Sequence, residues 1–436
     1  MPLPFTHHTL DNGLDVLVHE DHDCPIVAVN VWYHVGSKNE TPGRTGFAHL
    51  FEHLMFEGSK HYDKGYFQPL QEAGGSLNGS TNADRTNYWQ VMPTNALELA
   101  LWMESDRMAD LLPALTEDKF SNQRDVVLNE RRQNYENRPY GFAGMATVAA
   151  LYPPDHPYHW LTIGAATDLV AATLDDVRAF FLTYYRPLNA SLALAGDIDT
   201  EEALALGSRY FGDIEAGSTP PPVAPSAVTP PASDVRLLIE DRVELPRLYI
   251  AWHSPSLFAP GDAELDLISD VLAGGKTSRL YRALVYEQRI ATEVAASQSS
   301  RELGSFFQIV ATAAPGRSAM ELERAIATEL ARVIDSGPTV PEMERCLAQA
   351  EASFIHRLQT VGGFGGKSDQ LNAYNVYLGD PGFFDQDLDR YTTVTADSLR
   401  QTAARWLTPS GRVLVSVVPR GKASLALDGS VAADVS

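Results

Sequence analysis

Cysteine is nearly absent from this sequence: Cys24 and Cys346 are the only two, and they stand far apart. That excludes a disulfide-stapled scaffold and a cysteine zinc site, which need several thiols at close spacing. No run of eighteen apolar residues occurs, so no membrane span is expected. The opening MPLPFTHHTLDNGLDV has no basic segment followed by an apolar one. A mature form stripped of a signal peptide would read the same way, which leaves periplasm and cytoplasm both open. Positive charge is scarce as well: 34 Lys and Arg against 56 Asp and Glu give a net charge of −22. This argues against nucleic acid or an anionic membrane as partner and is compatible with cationic peptides. There is no GxSxG elbow for a serine hydrolase. Two stretches, GGFGGKS (362–368) and LAGGKTS (272–278), contain G-K-[ST], but Val361 and Asp270 stand where a phosphate loop needs its first glycine.

A chain of 436 residues exceeds one ordinary core, so two domains are expected. The seam is AGSTPPPVAPSAVTPPAS, residues 216–233, with the composition of a stiff extended linker. On each side the chain begins with two strand-like runs, GLDVLVHEDHDCPIVAVNVWYHVG and VRLLIEDRVELPRLYIAWHSP, and a helical segment follows each. Each half also closes on an apolar strand, NASLALAGDID and RVLVSVVP; Thr200 is placed to cap the helix after the first. The reading is α+β: two homologous α/β-roll domains, 1–215 and 234–436, each a mainly antiparallel sheet packed against helices.

GFAHLFEHLMFEG, residues 46–58, carries the chemistry. At 100° per residue Phe47, Leu50, Phe51, Leu54 and Met55 form one apolar stripe, and His49, Glu52 and His53 project from the other face. Imidazoles one turn apart can reach a single ion, and zinc suits neutral imidazole. A third ligand is required. In TEDKFSNQRDVVLNERRQNYEN (116–137) Thr116 marks a helix start, and Phe120, Gln123, Val127 and Glu130 share a face. Glu130 therefore points inward with apolar residues, where a carboxylate needs a partner such as a metal. SLNGSTNADRTNYWQV reads as a hairpin turning at Asn82, Ala83 and Asp84.

HLFEH (49–53) has the inverted HxxEH order, and with RDVVLNE, GGSLNGSTNADRTNYW, YYRPLNASLALAGDID and GGKTSRLYRALVYEQ it resembles the insulinase/pitrilysin family of zinc metallopeptidases, the inverzincins. The resemblance spans nearly the whole chain and extends to small bacterial members and the mitochondrial processing peptidase beta subunit. It implies a zinc-dependent metalloendopeptidase in which His49, His53 and Glu130 bind Zn2+ and Glu52 is the general base. It also implies that extended peptide substrates pair with an edge strand near Asn78 and Gly79. Two places depart from the pattern. Gln123 stands where a glutamate is frequent and is expected to orient Glu130 by hydrogen bonding. Val285 and Thr292 stand where complete members have an arginine and a tyrosine that hold substrate. The resemblance therefore implies the zinc-bearing subunit of a heterodimer, with a second family subunit supplying the Arg/Tyr pair and four such domains enclosing a chamber. Arg279 or Arg282 taking over the arginine's part is the alternative. A non-enzymatic, structural core subunit is the other reading, disfavoured because His49, Glu52, His53 and Glu130 are all retained. If the halves superpose, Asp266, Ser269 and Asp270 occupy the places of His49, Glu52 and His53.

Overall fold

A computed structural model describes residues 3–226 and 228–434. Ala227 of the linker and the terminal residues 1, 2, 435 and 436 fall outside them. In the first half, β1 (Thr6–Thr9), β2 (Asp15–Glu20), β3 (Ile26–Tyr33), β4 (Ser76–Thr81), β5 (Thr86–Pro93) and β6 (Ala190–Gly196) form a six-stranded sheet. Their order is β1-β2-β6-β3-β5-β4. Only β2 and β6 run parallel. In the second half, β7 (Val235–Asp241), β8 (Arg247–Ser254), β9 (Ala291–Ser299), β10 (Ser305–Ala313), β11 (Val413–Pro419) and β12 (Val431–Ala432) are ordered β12-β7-β11-β8-β10-β9. Five of the six strands follow the same route, and the outer one comes from the start of the first half and from the end of the second. The difference lies in the outer strand, antiparallel in β1 and parallel in β12. The architecture is thus α+β, with two like, mainly antiparallel sheets clothed by helices.

The strands explain themselves by composition. IVAVNVWY in β3 and ASLALAG in β6 are buried almost throughout. Strands covered on both faces lose polar alternation and favour β-branched and small apolar residues. At the edge of the first sheet, β4 is polar and partly exposed and is paired only through β5.

The compact units do not coincide with the sequence halves. One runs to Asn129 and takes in Thr162–Ala224 and Ser353–Gln386; the other comprises Glu130–Leu161, Pro225–Ala352 and the chain from Asp387. Within the first unit, the helix Lys367–Leu378 lies on β2, β3 and β6. Its Asp369 accepts hydrogen bonds from Trp32 Nε1 (2.8 Å), Asn87 Nδ2 (3.0 Å) and Asn30 Nδ2 (3.3 Å), and Asn372 Nδ2 donates to Asn30 O. Within the second unit, the helix Ala143–Leu151 packs on β7, β8 and β11. Each half therefore contributes a helix to the sheet that begins in the other. The described residues of 216–233 carry no helix or strand.

Two expectations are refined. Thr200 does open its helix, but Asp199 is the N-cap, and the Thr200 amide donates to Glu20 Oε1 at 2.6 Å. Cys24 is exposed and Cys346 buried, both as free thiols. No helix among the described residues is long and apolar enough to cross a membrane.

Candidate active site

The helix Phe47–Leu54 begins at Gly46, whose φ of 87° is left-handed; a Cβ there would stand 2.9 Å from Ile163 O. Its first amides are satisfied from outside the helix: buried Glu40 accepts from Gly46 N (3.0 Å) and Ala48 N (2.8 Å). Phe47, Leu50, Phe51, Leu54 and Met55 are all buried, as the stripe requires. Phe51 packs on Tyr185 and Phe181, with ring centroids 4.3 and 5.5 Å away. That packing turns His49, Glu52 and His53 towards the other face, where each is half-buried. The two imidazoles meet edge to face, centroids 4.9 Å apart and planes at 89°.

Glu130 arrives on the helix Glu117–Arg131. Thr116 Oγ1 accepts from Lys119 N (3.3 Å) at its start, and Phe120 and Val127 are fully buried. The division between the two units falls between Asn129 and Glu130, inside this continuous helix, so residues anchored in the first unit carry Glu130 into place. One donor atom from each of His49, His53 and Glu130 lies within 4.8 Å of the others. Two imidazoles and a carboxylate form the donor set of a catalytic zinc site, three protein ligands with a fourth position open. The residues present fit that ion. Burial, then the neighbouring His53, lowers the His49 pKa to about 4, so this ring is neutral at pH 7, as a ligand must be.

Glu52 lies between the histidines in angle. Burial raises the Tyr88 and Tyr185 phenols, and the charge of Glu52 adds to both shifts. Beyond Glu130 the chain passes into a π-helical turn, Arg132–Glu136, whose Tyr135 is raised first by burial and then by Glu130. Gln123 is half-buried on the Glu130 face, and its side-chain amide donates to Glu57 Oε1. Sequence reasoning missed both Glu40 and Glu57. An acid seven residues ahead of the helix Phe47–Leu54 and another just behind it were signals available for each.

Asn78 and Gly79 lie on β4. The Gly79 amide donates to the Asn78 side chain (Oδ1, 2.8 Å), and Gly79 is buried opposite Tyr88 of β5. A Cβ on Gly79 would approach Tyr88 Cδ1 to 3.0 Å and Phe56 Cζ to 3.1 Å, so the strand needs glycine here because of close packing. The turn at Asn82 is held by its side chain, which accepts from Asp84 N (2.7 Å) and Arg85 N (2.9 Å).

Among the described residues of the second half there is no equivalent donor set. The burial sequence of residues 48–56 repeats at 265–273, which sets Asp266, Ser269 and Asp270 in the places of His49, Glu52 and His53. Tyr391 Oη donates to Asp266 at 2.7 Å. Val285 is packed against the second core, and Thr292 is exposed. Arg279 is engaged by Glu342 (2.7 and 2.8 Å) and Gly337 O, and Arg282 by Glu287. One further grouping of potential ligands, His61 with Asp106 and Asp110, is spent internally: His61 Nδ1 donates to Asp106 at 2.5 Å.

Residues 15–149 match the family model described as Insulinase (Peptidase family M16), and residues 171–350 match the one described as Peptidase M16 inactive domain. The chain is 30% identical over 376 residues to the zinc protease PqqE of Helicobacter pylori, covering 85% of this chain and 82% of that one. It is 25% identical over 272 residues to the "Probable mitochondrial-processing peptidase subunit beta, mitochondrial" of Arabidopsis thaliana, covering 61% of this chain and 49% of that one. The crystal structure of a protease from Helicobacter pylori superposes with a TM-score of 0.88 at 26% identity, over 96% of this chain and all of that one.

Proposed function

The chain belongs to the insulinase family, peptidase family M16, and we propose that it is a zinc-dependent endopeptidase acting on extended or unfolded peptides. One observation carries this reading: the donor atoms of His49, His53 and Glu130 converge within 4.8 Å on the face that also presents Glu52. In this reading His49, His53 and Glu130 hold Zn2+. When bound there, the ion polarises the scissile carbonyl and acidifies water. Glu52 takes the proton of the attacking water and hands it to the leaving amine. The buried stripe and the Glu40 cap fix the helix, so Glu52 is held ready for the proton rather than recruited to it. The edge of β4 around Asn78 and Gly79 receives the substrate main chain as an added strand, which accounts for a preference for extended segments over particular sequences.

The same reading takes 1–215 as the catalytic repeat, 216–233 as linker and 234–436 as its non-catalytic homologue. The chain is the zinc-bearing member of a heterodimer. Val285 and Thr292 offer neither charge nor phenol, and Arg279 is committed to Glu342. A second family subunit then supplies the Arg/Tyr pair. The test is hydrolysis of an unstructured peptide by this chain alone and with such a subunit. Full activity of the chain alone overturns the heterodimer. Bound zinc without hydrolysis in either case favours a structural subunit.

A further inference from the structure

Behind the metal-binding helix lies a charged group that the reaction does not use. Arg107, on the helix Leu97–Ala114, is fully buried, and so is its neighbour Glu104. The guanidinium grips Glu104 with Nε (2.9 Å) and Nη2, and its Nη1 donates to Met55 O at 3.4 Å. Met55 is the C-cap of the helix Phe47–Leu54, so a cation sits at the negative end of that helix dipole. The faces of the guanidinium are occupied by Tyr88 (4.1 Å to the ring centroid), Tyr66 (4.2 Å) and Phe56 (5.4 Å). Glu104 in turn accepts from Gln90 Nε2 and from Tyr66 Oη (3.2 Å).

Two of these partners lead to the edge strand. Tyr88 pairs with Gly79 across β5 and β4, and Gln90 pairs with Leu77. Phe56 and Tyr88 close on Gly79, each within about 3.1 Å of where its Cβ would be. One guanidinium therefore touches the end of the helix that carries His49, Glu52 and His53, and also the rings that seat the backbone of β4. A peptidase of this geometry needs those two elements in fixed register, one presenting the base and the other the peptide bond. A misplacement of about 1 Å costs on the order of a hundredfold in rate. Stability alone does not call for an ion pair here, since apolar residues of similar volume commonly replace one at no loss.

We propose that Arg107, clamped by Glu104, is a positioning residue that locks the metal-binding helix to the substrate strand β4. The idea rests on the peptidase reading for its kinetic consequence, but the coupling is measurable without catalysis. E104Q/R107M removes the pair as a unit and leaves no lone buried charge; R107K keeps the charge and loses the fork. Hydrogen exchange is followed on residues 47–56 and 76–81, with 26–33 in the middle of the same sheet as the reference.

In E104Q/R107M the first two segments should exchange about tenfold faster or more while 26–33 is unchanged. Zinc content should stay at the wild-type level, and R107K should fall between. On an unstructured peptide, kcat should drop at least about tenfold with KM changed less than about threefold. An unchanged 76–81, or equal acceleration in 26–33, overturns the proposal, as does an unchanged kcat. A wild-type chain that hydrolyses nothing, with or without a second subunit, contradicts the peptidase reading instead, and the exchange result then decides the coupling by itself.

Discussion

Gln123 donates its side-chain amide to Glu57, so the residue two helical turns before Glu130 is tied to the segment that leaves the helix Phe47–Leu54. The neutral amide is what permits this. A glutamate at 123, frequent in chains of this family pattern, would set one carboxylate against another. Q123E is expected to destabilise the protein at pH 7 by roughly 1 kcal/mol, like charges at contact distance being unfavourable. Urea unfolding of the two proteins checks it, and Q123E/E57Q should restore the loss.

Glu40 supplies the acceptors that the first turn of the helix Phe47–Leu54 lacks. E40A leaves two buried amides unsatisfied, at a cost of about 1–3 kcal/mol. Zinc affinity should fall with it because the helix start frays. Competition with a chromophoric chelator should show weaker zinc in E40A and an intermediate value in E40Q, which keeps one acceptor.

Gly79 is held between Tyr88 and Phe56, where a methyl group would sit 3.0 and 3.1 Å from their rings and force them to give way. G79A should therefore push β4 off its neighbours. Peptide kcat/KM should drop by about tenfold or more while zinc content stays constant, since the converging donor atoms of His49, His53 and Glu130 are carried by other elements. Steady-state kinetics beside metal analysis separates the two.

Asp266 lies on the second-half helix Asp262–Ala273, where the Tyr391 hydroxyl donates to it. Burial raises its pKa from 3.8 to about 7, against the Tyr391 hydrogen bond, which lowers it. A carboxyl whose folded pKa lies above its unfolded value binds more protons when folded, so its contribution to stability declines as pH rises from about 4 to about 7. D266N should abolish that slope, on the order of a few kcal/mol across the window. Denaturant unfolding at pH 5 and pH 8 reads it directly.

Much of the site could be read from local pattern. The stripe from Phe47 to Met55, the inward phase of Glu130 behind Phe120 and Val127, and the hairpin around Asn82 all follow from periods of 3.6 and 2 and from turn chemistry. What could not be read depends on partners distant in the chain. Asp369 reaches Trp32 across 337 positions, and no periodicity announces that a helix from the second half will cover the first sheet. Arg107 looks like an ordinary surface cation in LWMESDRMADLL, and only the assembled rings of Phe56, Tyr66 and Tyr88 give it a buried role. The pattern places Gln123 on the Glu130 face and suggests Glu130 as its partner, whereas its side-chain amide donates to Glu57.

The central claim is that Glu52 acts as the base beside a zinc ion held by His49, His53 and Glu130. The decisive measurement is hydrolysis of an unstructured peptide library by the zinc-loaded chain, alone and with the proposed second family subunit, wild type against E52Q. E52Q is expected to keep wild-type zinc and to lose activity by about a hundredfold or more, within the range for removing a general base. An E52Q protein that retains full activity would contradict it.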